Sequence, residues 1–255
     1  GALLDHTSQA EVMARIPQFS QAEIHNIAPS PAESPHPLRL LVFNMERGVH
    51  LAELGDFLET CPEAKPYDVI LANELDDGCV RSGQKDTTRE LAERLGMNYV
   101  FGLEFIELVN GENAKGFHGN AIFSRWPIKQ AKIVRLPEQY NWYFDRQRRI
   151  GGRLAILAEL DVNGRSVGVG TIHLENRTHG PARQEHLAAI LKAADPEGAN
   201  CARFFYEYPA TAGLGHFLRP AAAHKIADVA QAYRQQHHRG KQIAVQKRQH
   251  QSVGG

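Results

Sequence analysis

Tyr67-Asp-Val-Ile-Leu-Ala-Asn-Glu74 is the stretch on which the fold turns. Its apolar run is nearly continuous, begins on β-branched residues and is too short for a buried helix. It therefore reads as a strand over 67–72 covered on both faces. The stretch closes on a carboxylate. Two other runs share the plan: Leu38-Arg-Leu-Leu-Val-Phe-Asn44 closes on an amide, and Ser166-Val-Gly-Val-Gly-Thr-Ile-His173 on an imidazole. Polar groups at the ends of neighbouring strands converge on one rim, where layered α/β folds bind ligands.

Outward from these strands, His50–Thr60 carries apolar residues at 51, 54, 57 and 58, a helical spacing that Pro62 ends. Asp86–Gly96 predicts a second helix, with Asp86 or Thr87 as its cap, Glu90 completing a capping box and Gly96 closing it. Tyr99–Phe105, Gly119–Ser124 and Gln130–Leu136 read as strands. Arg153–Leu160 and Arg165–Leu174 predict a hairpin around Asn163-Gly164, a strong turn signal. Pro181 opens a helix to about Ala194, with Leu187, Ile190, Leu191 and Ala194 as its core stripe. Strands interleaved with helices, plus a hairpin, predict one α/β domain over residues 38–195.

Composition differs on either side of that domain. Ile27–Pro37 has four prolines in eleven residues, so residues 1–37 read as an N-terminal extension and linker outside the core, with a short helix between Gln9 and Ile27. Residues 1–195 hold 21 Lys and Arg against 26 Asp and Glu, while residues 196–255 hold 8 against 3. This basic tail is rich in Gln and His; it predicts a helix over Ala221–Tyr233 and disorder from Gln235 onward. The whole chain has zero formal charge and so no global pull toward nucleic acid or a membrane surface. No apolar run approaches the roughly 20 residues of a transmembrane helix. Cys61, Cys79 and Cys201 follow no metal-site or CxxC spacing, which favours reduced thiols and a cytoplasmic location.

Among the polar groups, Glu74 is the candidate metal ligand: one carboxylate with waters and a substrate phosphate suits Mg²⁺. Asp76 and Asp77 read as solvated turn acids, and Glu46 and Arg47 as surface residues, with Arg47 within reach of an anionic substrate. Asn44 suits a metal-bound water or a phosphate oxygen. His173 suits donation to a scissile phosphate. His118 and Asn120, in Gly116-Phe-His-Gly-Asn-Ala-Ile-Phe-Ser-Arg125, are candidates for the same rim. Gln139-Tyr-Asn-Trp-Tyr-Phe-Asp-Arg-Gln-Arg-Arg149 combines aromatic faces with three arginines, ending on Arg149, and is the candidate substrate-contacting loop.

Taken together, Leu-Leu-Val-Phe-Asn44, Val-Ile-Leu-Ala-Asn-Glu74, His118-Gly-Asn-Ala-Ile-Phe-Ser-Arg125 and Gly170-Thr-Ile-His-Leu174 resemble, in order and spacing, successive motifs of the endonuclease/exonuclease/phosphatase superfamily. The resemblance covers about residues 38–194. It implies the deoxyribonuclease I-like fold: two packed mixed β-sheets flanked by helices. It also implies a phosphoesterase dependent on Mg²⁺ (or Mn²⁺), whose substrate is a nucleic acid, a phospholipid or a sugar phosphate. By motif, Glu74 matches the metal-binding Glu, Asn44 the active-site Asn of the first strand, and His173 the His that contacts the scissile phosphate. Asn120 falls in a more structural Gly-Asn motif, and Glu104 at the place of an acid that orients the His. The family's later Gly-Asp-x-Asn and Ser-Asp-His motifs do not occur. Beyond His173 the aspartates are Asp195 and Asp228, and neither precedes a His. The second sheet is therefore expected to be incomplete and residues 196–255 divergent or frameshifted. The alternative to an active enzyme is a catalytically impaired member that binds phosphate or another anion.

Overall fold

The computed structural model describes residues 6–31, 38–62, 64–109 and 111–194. The expected tail lies outside them. In chain order the elements are α1 (His6–Ala14), β1 (Glu23–His25), β2 (Leu40–Arg47), α2 (Leu51–Thr60), β3 (Val69–Asp77), α3 (Thr87–Leu95), β4 (Asn98–Glu107), β5 (Phe117–Ser124), β6 (Ile128–Arg135), β7 (Arg149–Gly151), β8 (Leu154–Val162), β9 (Arg165–Ile172) and α4 (Gly180–Ala194).

Strand β3 sits inside a sheet ordered β1-β4-β5-β3-β2, with β7 also paired to β4; the second sheet is β6-β8-β9. Among the described residues only the β2–β3 pairing is parallel. The first sheet is thus mixed, as expected, whereas among the described residues the second is antiparallel throughout and has three strands. The sheets bury their facing sides together: Val69, Leu71, Val100 and Ile122 from the first meet Leu154, Ile156, Ala158 and Val169 from the second. Helix α3 packs on the far side of the first sheet and against α2. Across the second sheet, Ile190 of α4 joins Ala155, Leu157 and Ile172. Every layer is therefore apolar on the side that meets its neighbour, which is why β3 could be read as buried on both faces.

The local signals behave as their chemistry requires. Asp86 accepts from Arg89 N at 3.0 Å and caps α3, and Gly96 closes it in the left-handed region at φ 60°. Glu90 does not complete a capping box; its carboxylate pairs with Lys85 at 2.8 Å. Asn163 and Gly164 turn the β8–β9 hairpin, both with positive φ.

Two features depart from the sequence reading. Part of the N-terminal extension is built into the domain. Phe19 is 2% exposed, β1 pairs with β4, and Asn26 exchanges two hydrogen bonds with the backbone of Ile128 at 3.0 and 2.9 Å. Arg135 fastens this segment by donating to the carbonyls of Phe19, Leu103 and Gly152, with its guanidinium 4.9 Å from the centre of the Phe19 ring.

The second departure shapes the site. Neither β2 nor β3 ends at its polar residue. In β3 the pairing with β5 skips from Ala72↔Ala121 to Leu75↔Gly119, so Asn73 and Glu74 together oppose Asn120. Against β2 it skips from Asn44↔Asn73 to Arg47↔Leu75. In β4 the pairing passes from Leu103↔Gly119 to Phe105↔His118 and leaves Glu104 as the extra residue. Glu74, Glu46 and Arg47 take positive φ values of 60°, 47° and 67°, a conformation that non-glycine residues adopt only when the surroundings enforce it. Adjacent bulges across neighbouring strands re-aim these side chains out of the ladder.

Candidate active site

Glu74 leaves the sheet at its bulge and is held from several directions. Its N–H donates to Asn120 Oδ1 at 3.3 Å, and its carboxylate accepts from the Asn44 amide, whose own oxygen takes the Glu46 N–H at 2.9 Å. Burial pushes the Glu74 carboxyl up, but its neighbours His173, His118, Arg47 and Asn44 together outweigh it. The group is held below the usual carboxylate range. About a fifth of the side chain is still exposed, and it faces His173, with Oε1 3.7 Å from Nε2.

His173 follows β9 and enters the site from the second sheet. Its Nδ1 lies 3.0 Å from Arg153 Nη1. The same guanidinium reaches Glu104 Oε2 at 3.3 Å and Glu175 Oε2 at 3.2 Å. Glu175 is fixed in turn by Trp142 Nε1 at 2.8 Å and the Arg177 N–H at 2.8 Å. Burial first, and the Arg153 charge second, hold His173 far below an ordinary imidazole, so the ring is neutral near neutral pH. Glu104 is fully buried. Burial raises its carboxyl against the pull of Arg153, and its Oε2 is 3.9 Å from His173 Nδ1, beyond a hydrogen bond. Arg153 therefore holds the ring directly, and Glu104 stands behind Arg153. A hydrogen bond from Thr171 Oγ1 to Asn73 Oδ1, 3.2 Å, ties the two sheets beside the site.

The remaining expected residues lie deeper. His118 is 2% exposed and stacks on Phe105, with its Nδ1 2.8 Å from Asp76 Oδ1. Asp76 is wholly buried and accepts two hydrogen bonds from Arg81, at 2.7 and 2.8 Å. Burial raises its carboxyl, yet Arg81 and His118 prevail and bring the pKa down to about 2. The expectation of a solvated turn acid fails here because β3 continues past its bulge and carries Asp76 into the protein. Asn120 is buried and supports the Glu74 backbone. Arg149 is buried too: its Nε is 2.8 Å from Glu107 Oε1, and its guanidinium lies over Phe105 and Trp142 at 5.1 and 4.9 Å. Of the candidate loop, Trp142 packs inward while Phe144 is exposed.

Glu74, Asn44 and His173 thus come together with Glu104 behind them, while His118, Asn120 and Arg149 form the floor. The residues that sequence reasoning missed are Arg153, Asp76, Arg81 and Glu175. The one available signal was charge adjoining apolar strands, as in Gly152-Arg153-Leu154 and Leu174-Glu175. For a cation, the site offers hard oxygen donors centred on the partly exposed Glu74 carboxylate. Among the described residues no three His, Cys, Asp or Glu side chains form a metal cage. That donor set suits an ion that retains waters, as Mg²⁺ does.

No protein-family model matches the chain, and no curated protein does. Solved structures similar to it include the human nocturnin catalytic domain with bound sulfate, at 20% identity and TM-score 0.46, covering 71% of this chain and 63% of that one. A second is an endonuclease/exonuclease/phosphatase family protein from Leptotrichia buccalis, at 16% identity and TM-score 0.45, covering 67% and 66%. A third is a β-hairpin deletion mutant of Staphylococcus aureus beta toxin, at 16% identity and TM-score 0.43, covering 75% and 72%. The chain thus spans less than two thirds of the length of the nocturnin domain.

Proposed function

We propose that this chain is a phosphoric ester hydrolase of the endonuclease/exonuclease/phosphatase type. The observation that carries the reading is the opposition of Glu74 and His173 across the two sheets, at 3.7 Å, each braced by its own polar support. The four ordered motifs point the same way. Glu74, positioned by Asn44 and Asn120, would hold a divalent cation, Mg²⁺ or Mn²⁺. Such an ion supplies Lewis-acid polarisation of a phosphoryl oxygen. The chain's own contribution is positional. His173 donates from Nε2 to a phosphate oxygen as charge develops, and Arg47 adds positive charge at the mouth. Buried Asn120 and half-buried Asn44 keep the Glu74 carboxylate aimed without adding charge of their own. Substrates are phosphodiesters or phosphomonoesters of a nucleic acid, a phospholipid or a sugar phosphate.

The test uses the full chain with p-nitrophenyl phosphate and bis-p-nitrophenyl phosphate, with MgCl₂, MnCl₂ or EDTA. Turnover is expected to need a divalent cation and to fall about 10²–10⁴-fold in His173→Ala and in Glu74→Gln. Mn²⁺ affinity, read by electron paramagnetic resonance, is expected to weaken in Glu74→Gln alone. Equal turnover in wild type and both variants would sink the site. A second reading rests on the absence of Gly-Asp-x-Asn and Ser-Asp-His from the sequence: a module that binds anions without turnover. Its mark is phosphate binding that weakens with salt while no ester is cleaved.

A further inference from the structure

We infer that Arg153 is a positioning residue which locks His173 as the Nε2–H tautomer, so that the ring meets substrate as a neutral hydrogen-bond donor. The inference rests on the phosphoesterase reading but deepens it. It assigns to a guanidinium the part that the family resemblance gives to the carboxylate of Glu104.

The chemistry follows from donor inventory. A guanidinium carries only N–H groups and no usable lone pair, so any hydrogen bond between Arg153 and an imidazole nitrogen has Arg153 as donor. Nη1 lies 3.0 Å from His173 Nδ1. Nδ1 must therefore present its lone pair, and the single proton of the neutral ring sits on Nε2. Nη1 has two hydrogens, which allows it to serve both His173 and Glu104 Oε2 at 3.3 Å. Arg153 has little freedom to do otherwise. It is 5% exposed, its Nε is held by Glu175, and its guanidinium lies over the Phe105 and Trp142 rings at 5.5 and 5.4 Å. The carboxylate that would favour the opposite tautomer, Glu104, stops 3.9 Å short of Nδ1.

The consequence lies on the other side of the ring. Nε2–H points toward Glu74 Oε1, but 3.7 Å is too long for a hydrogen bond. The donor is aimed yet unspent, and a phosphate oxygen entering beside Glu74 can take it. The groups facing the ring are Glu74, Glu104 and Arg153, with His118 and Arg149 contributing at longer range. None of them offers Nδ1 a competing acceptor at hydrogen-bond distance.

The experiment is ¹⁵N-histidine long-range correlation NMR on the full chain near neutral pH without substrate, with the His173 signals identified by their loss in His173→Asn. The expected pattern is an unprotonated Nδ1 and a protonated Nε2. Arg153→Lys, still a pure donor, is expected to keep that pattern. Arg153→Met is expected to move the proton toward Nδ1. With an ester substrate, kcat in Arg153→Met should fall about 10²-fold or more with KM little changed, and Arg153→Lys should recover most of the loss. A protonated Nδ1 in the wild-type protein overturns the inference even if Arg153→Met does not fold. An unchanged tautomer in folded Arg153→Met overturns it as well. Because the tautomer is read without substrate, this inference and the enzymatic reading fail separately.

Discussion

Two histidines lie on the floor and wall of this site, and their Nδ1 atoms meet different neighbours. His118 Nδ1 is 2.8 Å from a carboxylate oxygen of Asp76, with Arg81 Nη2 at 3.3 Å, whereas His173 Nδ1 is 3.0 Å from Arg153 Nη1 and 3.9 Å from the Glu104 carboxylate. A carboxylate only accepts and a guanidinium only donates, so Asp76 favours a proton on His118 Nδ1, while Arg153 calls for a lone pair on His173 Nδ1. Their surroundings differ in kind too. His118 belongs to a closed, buried set comprising Asp76, Arg81 and Glu107, each with a partner inside the set. His173 keeps one ring nitrogen 3.7 Å from Glu74 Oε1, and both of these side chains are partly exposed. Under the proposed function, the same side chain serves stability in one place and reactivity in the other. The neighbour, not the residue type, decides which.

Three substitutions or titrations test that division on its stability side. The largest effect is expected in Arg81→Met, which strands Asp76 and Glu107 without their shared cation. Breaking such a partly buried pair should cost about 3 kcal/mol, read as a lowered midpoint in urea with an unchanged slope. A loss too small to measure would mean that the His118 network is not the structural half of the pair. Next is acid. Asp76 has its pKa at about 2 in the fold against an ordinary 3.8, so the folded state favours the ionised carboxylate. Its contribution, about 2 kcal/mol, is fully present above the unfolded value and is lost as the pH falls through the folded one. Asp76→Asn should flatten the fall in stability between about pH 4 and pH 2, as measured by denaturant titrations at fixed pH. A wild-type slope retained in the variant would assign acid sensitivity to other groups. The smallest effect is at the seam between the sheets. Thr171→Val removes the hydrogen bond to Asn73 Oδ1 and should cost about 1 kcal/mol in thermal or urea unfolding. Turnover in that variant should fall more than an isolated hydrogen bond explains if the seam aligns His173 with Glu74.

Much of this was legible in the chain because it is local chemistry. The Asp86 cap, the left-handed Gly96 and the Asn163-Gly164 turn each depend on a residue's own preferences. The apolar phase of β3 and β8 depends only on periodicity, whereas in α4 Leu191, expected in the core stripe, is 57% exposed and His186 is buried with Ile190 instead. Glu74, Asn44 and His173 were findable because each follows an apolar run. What escaped depends on pairing between distant segments. No residue preference announces that Glu74 sits at φ 60° in a bulge, since the bulge exists only when β3 is paired with β5 and β2. Asp76 looked like a turn residue for the same reason. Arg153 looked like a flanking charge until β8 and β9 brought it against His173. Phe19 seemed to belong to a tail until Arg135 and β4 covered it.

The bulge in β3 has a consequence of parity. Up to it, the odd-numbered Val69, Leu71 and Asn73 look toward the second sheet, where Val69 and Leu71 join the interlayer core and Asn73 meets Thr171. Beyond it, the even-numbered Asp76 looks that way and meets His118, which shares its side of β5 with Ile122. One extra residue has exchanged the two faces of the strand. The same residues paired with β5 and β2 without the bulge would misplace more than a carboxylate. The odd numbering would run on unbroken, Leu75 would take the inward place, and Asp76 would turn toward the helices, away from Arg81 and His118. The charged floor of the site therefore depends on how β3 is paired as much as on the identities of its residues.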